Sequence, residues 1–273
     1  MNQPPESGDI LRWYPKKWSE IAGNTKVIQA WWNFIVNGLC NALFTGPSRS
    51  GKTRTITLGI RAMLCTNRTA DLNPCGQCLT CKAMDQERYC HTGLFATMIE
   101  SEYDFKAIDC ERVSREELLG LPQELDLENP RTIVYLDEVT ALGRRGLEPL
   151  LLKPIDESRV IWLASAIKVK RIVTKEKGRK RDDPNVLSLP MQGRFGVKVG
   201  TMFPSDAELT QWIKDRCKDW QIIIEAEEIS VPLMIEITGR RVGYVIHVLA
   251  AAAARGRRID PDWLVEFNIG PQD

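Results

Sequence analysis

The chain has 273 residues, enough to bury a sizeable core and to hold one large and one small domain. Charged residues make up 27% and nearly cancel, to a net charge of +1, which excludes a globally basic nucleic-acid surface and leaves only local ones. No run of 18 apolar residues occurs, and the opening Met1-Asn2-Gln3-Pro4-Pro5-Glu6 lacks the basic and apolar regions of a secretory leader. A cytoplasmic protein with no membrane partner is expected, its eight cysteines being thiols or metal ligands rather than disulfides.

After a polar lead over 1–12 comes Trp13-Tyr14-Pro15-Lys16-Lys17-Trp18, then a helix over 24–38 with an aromatic face. An apolar strand at 42–44 leads into Gly46-Pro47-Ser48-Arg49-Ser50-Gly51-Lys52-Thr53, which fills every fixed position of the G-x-x-x-x-G-K-T phosphate-binding loop. Glycines let the backbone wrap a phosphate, successive N–H groups point inward, and the next helix adds its positive end. That helix is expected over 55–64, with Ile56, Ile60, Met63 and Leu64 on its inner face. The nucleotide-contacting run extends from Gly46 to Arg54. Lys52 bridges the outer phosphates, and the Thr53 hydroxyl holds Mg²⁺.

At the end of that helix stands Cys65, followed by Cys75-Gly76-Gln77-Cys78-Leu79-Thr80-Cys81. Four thiolates complete a tetrahedral Zn²⁺ site, and a closed set of ligands marks a structural role. Pro74 and Gly76 suit the tight turns of such a module, over about 65–81. Cys90 and His91 are possible substitutes for one ligand. Cys40, Cys110 and Cys217 stand alone and read as small core residues.

Buried parallel strands are expected at 105–108, 132–136 and 160–164, separated by helical patterns. The third strand of the chain ends in Asp137 and Glu138: with the phosphate loop, Asp137 holds Mg²⁺ through water and Glu138 orients the attacking water. Between 168 and 181 eight basic residues crowd a 14-residue window, read equally well as a phosphate-neutralising surface or as a solvated loop. Arg144 and Arg145 are another candidate pair for DNA. Trp31, Trp32, Trp162, Trp212 and Trp220 read as core residues. Beyond Phe203 the pattern changes to three helices, 206–220, 227–238 and 243–255, with no strand between them. The predicted division is an α/β nucleotide-binding domain over 1–203 and a helical domain over 204–273.

Several of these runs resemble those of clamp-loader ATPases in the AAA+ superfamily, and in particular the gamma/tau subunit of the bacterial DNA polymerase III clamp loader. Tyr14-Pro15-Lys16-Lys17-Trp18-Ser19-Glu20-Ile21-Ala22-Gly23-Asn24 is similar to the family's opening box. Asp137-Glu138-Val139, followed by Leu147-Glu148-Pro149-Leu150-Leu151-Leu152-Lys153-Pro154-Ile155-Asp156-Glu157, is similar to its leucine-leucine-lysine and acidic run. The four-cysteine module stands where that subunit carries one. The resemblance runs from about Trp13 to Arg255.

The resemblance implies a RecA-like α/β fold, an inserted zinc module and a C-terminal helical lid, with ATP, Mg²⁺ and Zn²⁺ as ligands. It makes Ser165 the polar sensor beside the acidic pair, Arg194 the arginine reaching a neighbour's γ-phosphate, and Arg240 or Arg241 the lid arginine. Catalysis then falls to Lys52, Glu138 and Arg194. It implies other AAA+ subunits and DNA as partners, with a sliding clamp or polymerase subunit as a further candidate. The family's helical collar has no counterpart before Asp273. Alternative readings are an assembly switch of a mobile element or phage that loads another protein onto DNA, and a non-hydrolysing, nucleotide-bound scaffold subunit.

Overall fold

In the computed structural model of the chain, which describes residues 3–38, 40–85, 94–97, 104–126, 128–167, 175–176, 179–180 and 187–267, six strands share one sheet. The chain enters through α1 (Ser7–Leu11), α2 (Thr25–Asn37) and β1 (Ala42–Gly46), then α3 (Lys52–Leu64) and α4 (Leu79–Asp85). The sheet continues through β2 (Leu94–Thr97) and β3 (Asp104–Asp109), then α5 (Arg115–Glu124) and β4 (Thr132–Asp137). Next come α6 (Thr140–Arg144), α7 (Pro149–Glu157) and β5 (Ile161–Ile167). A two-residue hairpin, β6 (Lys175–Glu176) and β7 (Arg179–Lys180), precedes α8 (Leu189–Gly193) and β8 (Val197–Gly200).

The sheet order is β2-β3-β4-β5-β1-β8, parallel throughout except for β2, which runs against β3. Placing β5 and β8 on either side of β1 requires crossovers, which the intervening helices supply. Register carries the consequence for function. Gly46 pairs with Ile167, Leu136 with Ala164 and Asp109 with Asp137, so β1, β4 and β5 end along one edge.

Both sheet faces are covered, as near-continuous apolar strands require. Leu43, Val134 and Leu136 point to one side, with Ile108, Leu118, Leu151 and Trp162. Phe44, Ile133 and Tyr135 point to the other, with Trp31, Ile56 and Ile60. The expected single inner face of the helix after the phosphate loop is too modest, because α3 is buried from Thr55 to Leu64. Trp31 of α2 lies across it, stacked 5.4 Å from Phe44. Gly59 permits that approach: a Cβ there would sit 2.1 Å from the Trp31 ring.

After β8 the chain forms α9 (Asp206–Asp219), β9 (Ile223–Ile224), α10 (Glu227–Thr238), α11 (Val242–Ala254), β10 (Arg258–Ile259) and α12 (Pro261–Glu266). Ser205 caps α9, accepting from the Glu208 N–H while Glu208 accepts from the Ser205 N–H. These helices share a core of their own, including Leu209, Trp212, Met234, Val248 and Leu249. Ile10 of α1 is buried in it, so the N-terminal segment docks on the last third of the chain. The expectation of three helices without strands needs correction, since β9 and β10 pair in parallel and α12 follows.

Two further expectations fail. Trp32 is 41% exposed, because adjacent positions on a helix lie 100° apart and Trp31 already takes the inward direction. Cys40 is exposed in the connection between α2 and β1. Cys110 and Cys217 are buried as expected. Cys90, His91 and most of the basic window 168–181 lie outside the described residues. Among the described residues, no helix is long and apolar enough to cross a membrane.

Candidate functional site

The loop joining β1 to α3 is shaped by two glycines with different tasks. Gly51 adopts φ +86°, a left-handed conformation that a side chain would strain. Gly46 is fixed by space instead: a Cβ there would meet Thr201 Oγ1 at 1.9 Å and the Thr201 carbonyl oxygen at 2.5 Å. Thr201, just past β8, donates its N–H to the Thr45 carbonyl, and its hydroxyl lies 3.0 Å from Ser50 Oγ. Asn24 ties the same loop to the opening segment, donating to the Ser50 carbonyl and accepting from the Met202 N–H. Arg49 stands at φ +60°, which costs a non-glycine residue about 1–2 kcal/mol.

Lys52 is buried under this loop, and its Nζ donates to the carbonyls of Gly46 at 3.0 Å and Pro47 at 2.8 Å. Burial pulls its pKa below the usual lysine value, while the charges of Glu138 and Asp137 oppose that fall. Thr53 Oγ1 lies 3.4 Å from Asp137 Oδ1. The same carboxylate oxygen accepts from Tyr135 Oη and Ser165 Oγ, each at 2.7 Å.

Ser165 Oγ in turn accepts the Glu138 N–H at 2.8 Å. Glu138 holds φ +54°, the kind of backbone strain that collects where a side chain must be aimed. Its Oε1 accepts from Thr140 Oγ1 at 2.5 Å and from the Ile167 N–H at 3.1 Å. Burial raises the Glu138 pKa above the usual carboxylate range, against the Thr140 hydroxyl, the Lys52 charge and the Ile167 N–H. The edge of the sheet therefore gathers a buried ammonium, a threonine hydroxyl, two carboxylates and a serine hydroxyl.

A cleft of about 330 Å³ opens above this edge. One wall is Ser48, Arg49, Gly51, Lys52, Thr53, Arg54 and Glu138. The other is Leu11 of α1 with Val242, Gly243, Ile246 and His247 of α11. Arg54 stacks on the Tyr14 ring, with 3.4 Å between guanidinium and centroid. The cleft thus has a polar floor and an apolar rim of Leu11, Val242 and Ile246. Sequence reading missed the rim and the roles of Asn24, Thr140 and Thr201; Asn24 and Thr201 bond residues far away along the chain, and Thr140 bonds Glu138 two residues before it.

The three remaining arginines lie away from the cleft's lining. Arg194 caps α8 and folds back on α7, bonding the carbonyls of Leu152 and Pro190 and the Asp156 carboxylate at 2.5 Å. Arg240 pairs with Asp206 at 2.6 and 3.0 Å, beside a separate groove with Phe203, Thr210 and Glu236. Arg241 precedes α11, its guanidinium 5.4 Å from the Tyr244 ring. Arg144 and Arg145 are exposed at the end of α6, and Arg145 donates to the Cys110 carbonyl.

The four cysteines singled out by spacing come together, their sulfurs all within 4.8 Å of one another. Cys65 and Cys78 sulfurs lie 3.9 Å apart, and those of Cys75 and Cys81 lie 4.0 Å apart. Tetrahedral Zn–S bonds of about 2.3 Å would set neighbouring sulfurs about 3.8 Å apart, so the donor set fits that ion. Backbone N–H groups of Cys78 and Gln77 point at Cys75 Sγ, and that of Cys81 at Cys78 Sγ. Burial disfavours the Cys78 thiolate, but the Cys81 and Thr66 N–H groups outweigh it and bring the thiol down to about 6. Buried Arg61 of α3 bonds Cys81.

No protein family model matches the chain. DNA polymerase III subunit tau/gamma of Haemophilus influenzae is 30% identical over 148 residues, 54% of this chain and 20% of that protein. Protein STICHEL-like 2 of Arabidopsis thaliana is 34% identical over 71 residues, 25% of this chain and 8% of that one. The chain thus spans a fifth or less of the length of these curated relatives. Among solved structures, the Thermotoga maritima RuvB Holliday junction branch migration motor superposes with a TM-score of 0.55 at 18% identity, covering 94% of this chain and 72% of that one. A point variant of the same motor gives 0.56 at 17%, covering 93% and 71%. The likeness to RuvB is one of fold, the parallel α/β sheet expected for a RecA-like domain. The likeness to tau/gamma is one of sequence, and agrees with the resemblance carried by the motifs.

Proposed function

We propose that this chain is an AAA+ ATPase subunit of clamp-loader type, which couples ATP binding and hydrolysis to DNA or to a protein carried on DNA. The observation that supports it most is the single cluster of Lys52, Thr53, Asp137, Glu138 and Ser165 at the carboxyl edge of a parallel sheet. In open α/β sheets that edge is where ligands bind. The phosphate loop N–H groups and the start of α3 receive the phosphates, and the base lies against Leu11, Val242 and Ile246.

Lys52 now bonds two loop carbonyls, and a phosphate oxygen is a stronger partner for its ammonium. Thr53 and Asp137 would hold Mg²⁺, which supplies charge neutralisation for the transferred phosphoryl group. Glu138 serves as base for the attacking water, and Thr140 and the Ile167 N–H fix the orientation of its carboxylate. Ser165 keeps Asp137 and Glu138 in mutual register. Helices α9 to α11 act as a lid. Arg194 completes the site of an adjacent subunit after leaving Asp156, which makes the active form an oligomer.

The cysteine cluster would hold one structural Zn²⁺, its four thiolates leaving no position for chemistry. Arg144, Arg145 and the basic window are the candidate DNA contacts, and a sliding clamp or polymerase subunit the candidate cargo.

Steady-state ATP hydrolysis, with and without primer-template DNA at low and moderate salt, tests the reading. Stimulation by DNA that fades with salt is expected. Turnover indifferent to DNA would favour a switch that loads another protein. Absence of both nucleotide binding and turnover would overturn the assignment.

A further inference from the structure

A nucleotide pocket roofed by a helical lid needs a way to register whether the terminal phosphate is present. Taking the cleft as such a pocket, the described residues that line it from the lid side include no arginine or lysine. Arg240 is engaged by Asp206 and faces another groove. Arg241 caps the start of α11 next to Val242, is not itself among the residues that line the cleft, and places its guanidinium 5.4 Å from the Tyr244 ring. What α11 turns toward the phosphate loop is Val242, Gly243, Ile246 and His247. Burial and the neighbouring Arg49 charge pull the His247 pKa down, which disfavours its cationic form.

The cation comes from the opposite wall. Arg49, in the middle of the phosphate loop, places its guanidinium 4.1 Å above the Tyr244 ring. Its stem lies over Gly243, where a Cβ would make ordinary van der Waals contact at 3.5 to 3.8 Å with Arg49 Cβ, Cγ and Cδ. The residue does this from φ +60°, where glycine would be the unstrained choice. Glycine would close the loop equally well. The arginine adds one thing, a guanidinium between the loop that receives the phosphates and the helix that covers them.

We propose that Arg49 is the terminal-phosphate sensor of this site, one side chain serving both the phosphate loop and the lid. A phosphate oxygen is a stronger partner for guanidinium than a ring face. A triphosphate therefore draws Arg49 inward, and α11 follows through Tyr244 and Gly243. With a diphosphate the guanidinium stays on Tyr244 and the lid keeps its unbound position. The sensing arginine is then supplied by the loop itself, and lid movement is read through a stacking contact.

The test is titration calorimetry of the full chain with Mg²⁺, comparing a non-hydrolysable ATP analogue with ADP. Arg49→Gly suits the backbone conformation, which guards against a folding defect. It is expected to weaken analogue binding by about tenfold or more and ADP binding by no more than about threefold. Amide exchange supplies a second reading: the analogue slows exchange in α11 of the wild type, and fails to do so in Arg49→Gly and Tyr244→Leu. An unchanged analogue-to-ADP ratio in Arg49→Gly overturns the proposal. So does collapse of that ratio in Arg240→Ala or Arg241→Ala with Arg49→Gly unaffected. A wild-type chain that binds neither nucleotide overturns the reading of the cleft itself, a failure distinct from loss of the Arg49 effect alone.

Discussion

Ser165 Oγ donates to Asp137 and accepts from the Glu138 backbone, so one hydroxyl holds two adjacent carboxylate residues in a fixed relation. Ser165→Ala removes both bonds and leaves the strained Glu138 N–H without this partner. Hydrolysis is expected to fall by about 10- to 100-fold, while ATP affinity changes by less than about threefold. Turnover and equilibrium binding measured on the same preparation check the split.

Glu138→Gln keeps the side-chain shape but removes the proposed base, and is expected to lower turnover by about 10² or more. Its pH behaviour is a separate check. The folded state raises the Glu138 pKa, so it binds that proton more tightly than the unfolded chain does. The contribution of this residue to stability is present below the ordinary carboxylate pKa and is lost as pH rises through the raised one. Thermal melts across that window should show this slope in the wild type and not in Glu138→Gln. Turnover rises over the same window as the base deprotonates.

Gly59→Ala would force a methyl into the Trp31 ring, which is already stacked on Phe44 and cannot retreat. Overpacking of this kind costs about 1–3 kcal/mol, or about 2–4 °C in Tm for each kcal/mol. A melt that matches wild type would show that α2 moves away from α3 at little cost.

The cysteine cluster predicts one Zn²⁺ per chain by elemental analysis of protein purified without chelator. Cys78→Ser is expected to lose the metal and lower Tm by several degrees, about 2–4 °C per kcal/mol. Metal-free wild-type protein with an unchanged melt would remove the site from the account.

The phosphate loop, the acidic pair and the cysteine cluster were legible because each is written in a short stretch whose spacing sets its geometry. Ser165 could be found only through a family resemblance, since nothing local to it points at Asp137. Thr201 carried no signal at all, and Asn24 only its place at the end of the run that resembles the family's opening box. Gly46 needs its small size because Thr201 crosses it from the far end of the sheet, a contact that no local pattern encodes. Sequence also pointed to Arg240 or Arg241 for the lid, although Arg240 turns to Asp206. A run of adjacent arginines gives their order along the chain, not the side of the helix start on which each emerges. The antiparallel β2 was missed for a related reason, three apolar residues and a threonine being too short a run to announce a strand.

Helix α3 begins at Lys52 and stops one residue short of Cys65, a buried rod about 20 Å long. Its far end is pinned twice. Cys65 joins the thiol cluster, and Arg68 donates to the carbonyls of Ala62, Met63 and Cys65. A rod held at one end and packed along its length cannot slide or tilt when charge arrives at the other. Any recoil from an arriving phosphate must then be absorbed in residues 47–51, and the lever that transmits it is the short loop rather than the long helix.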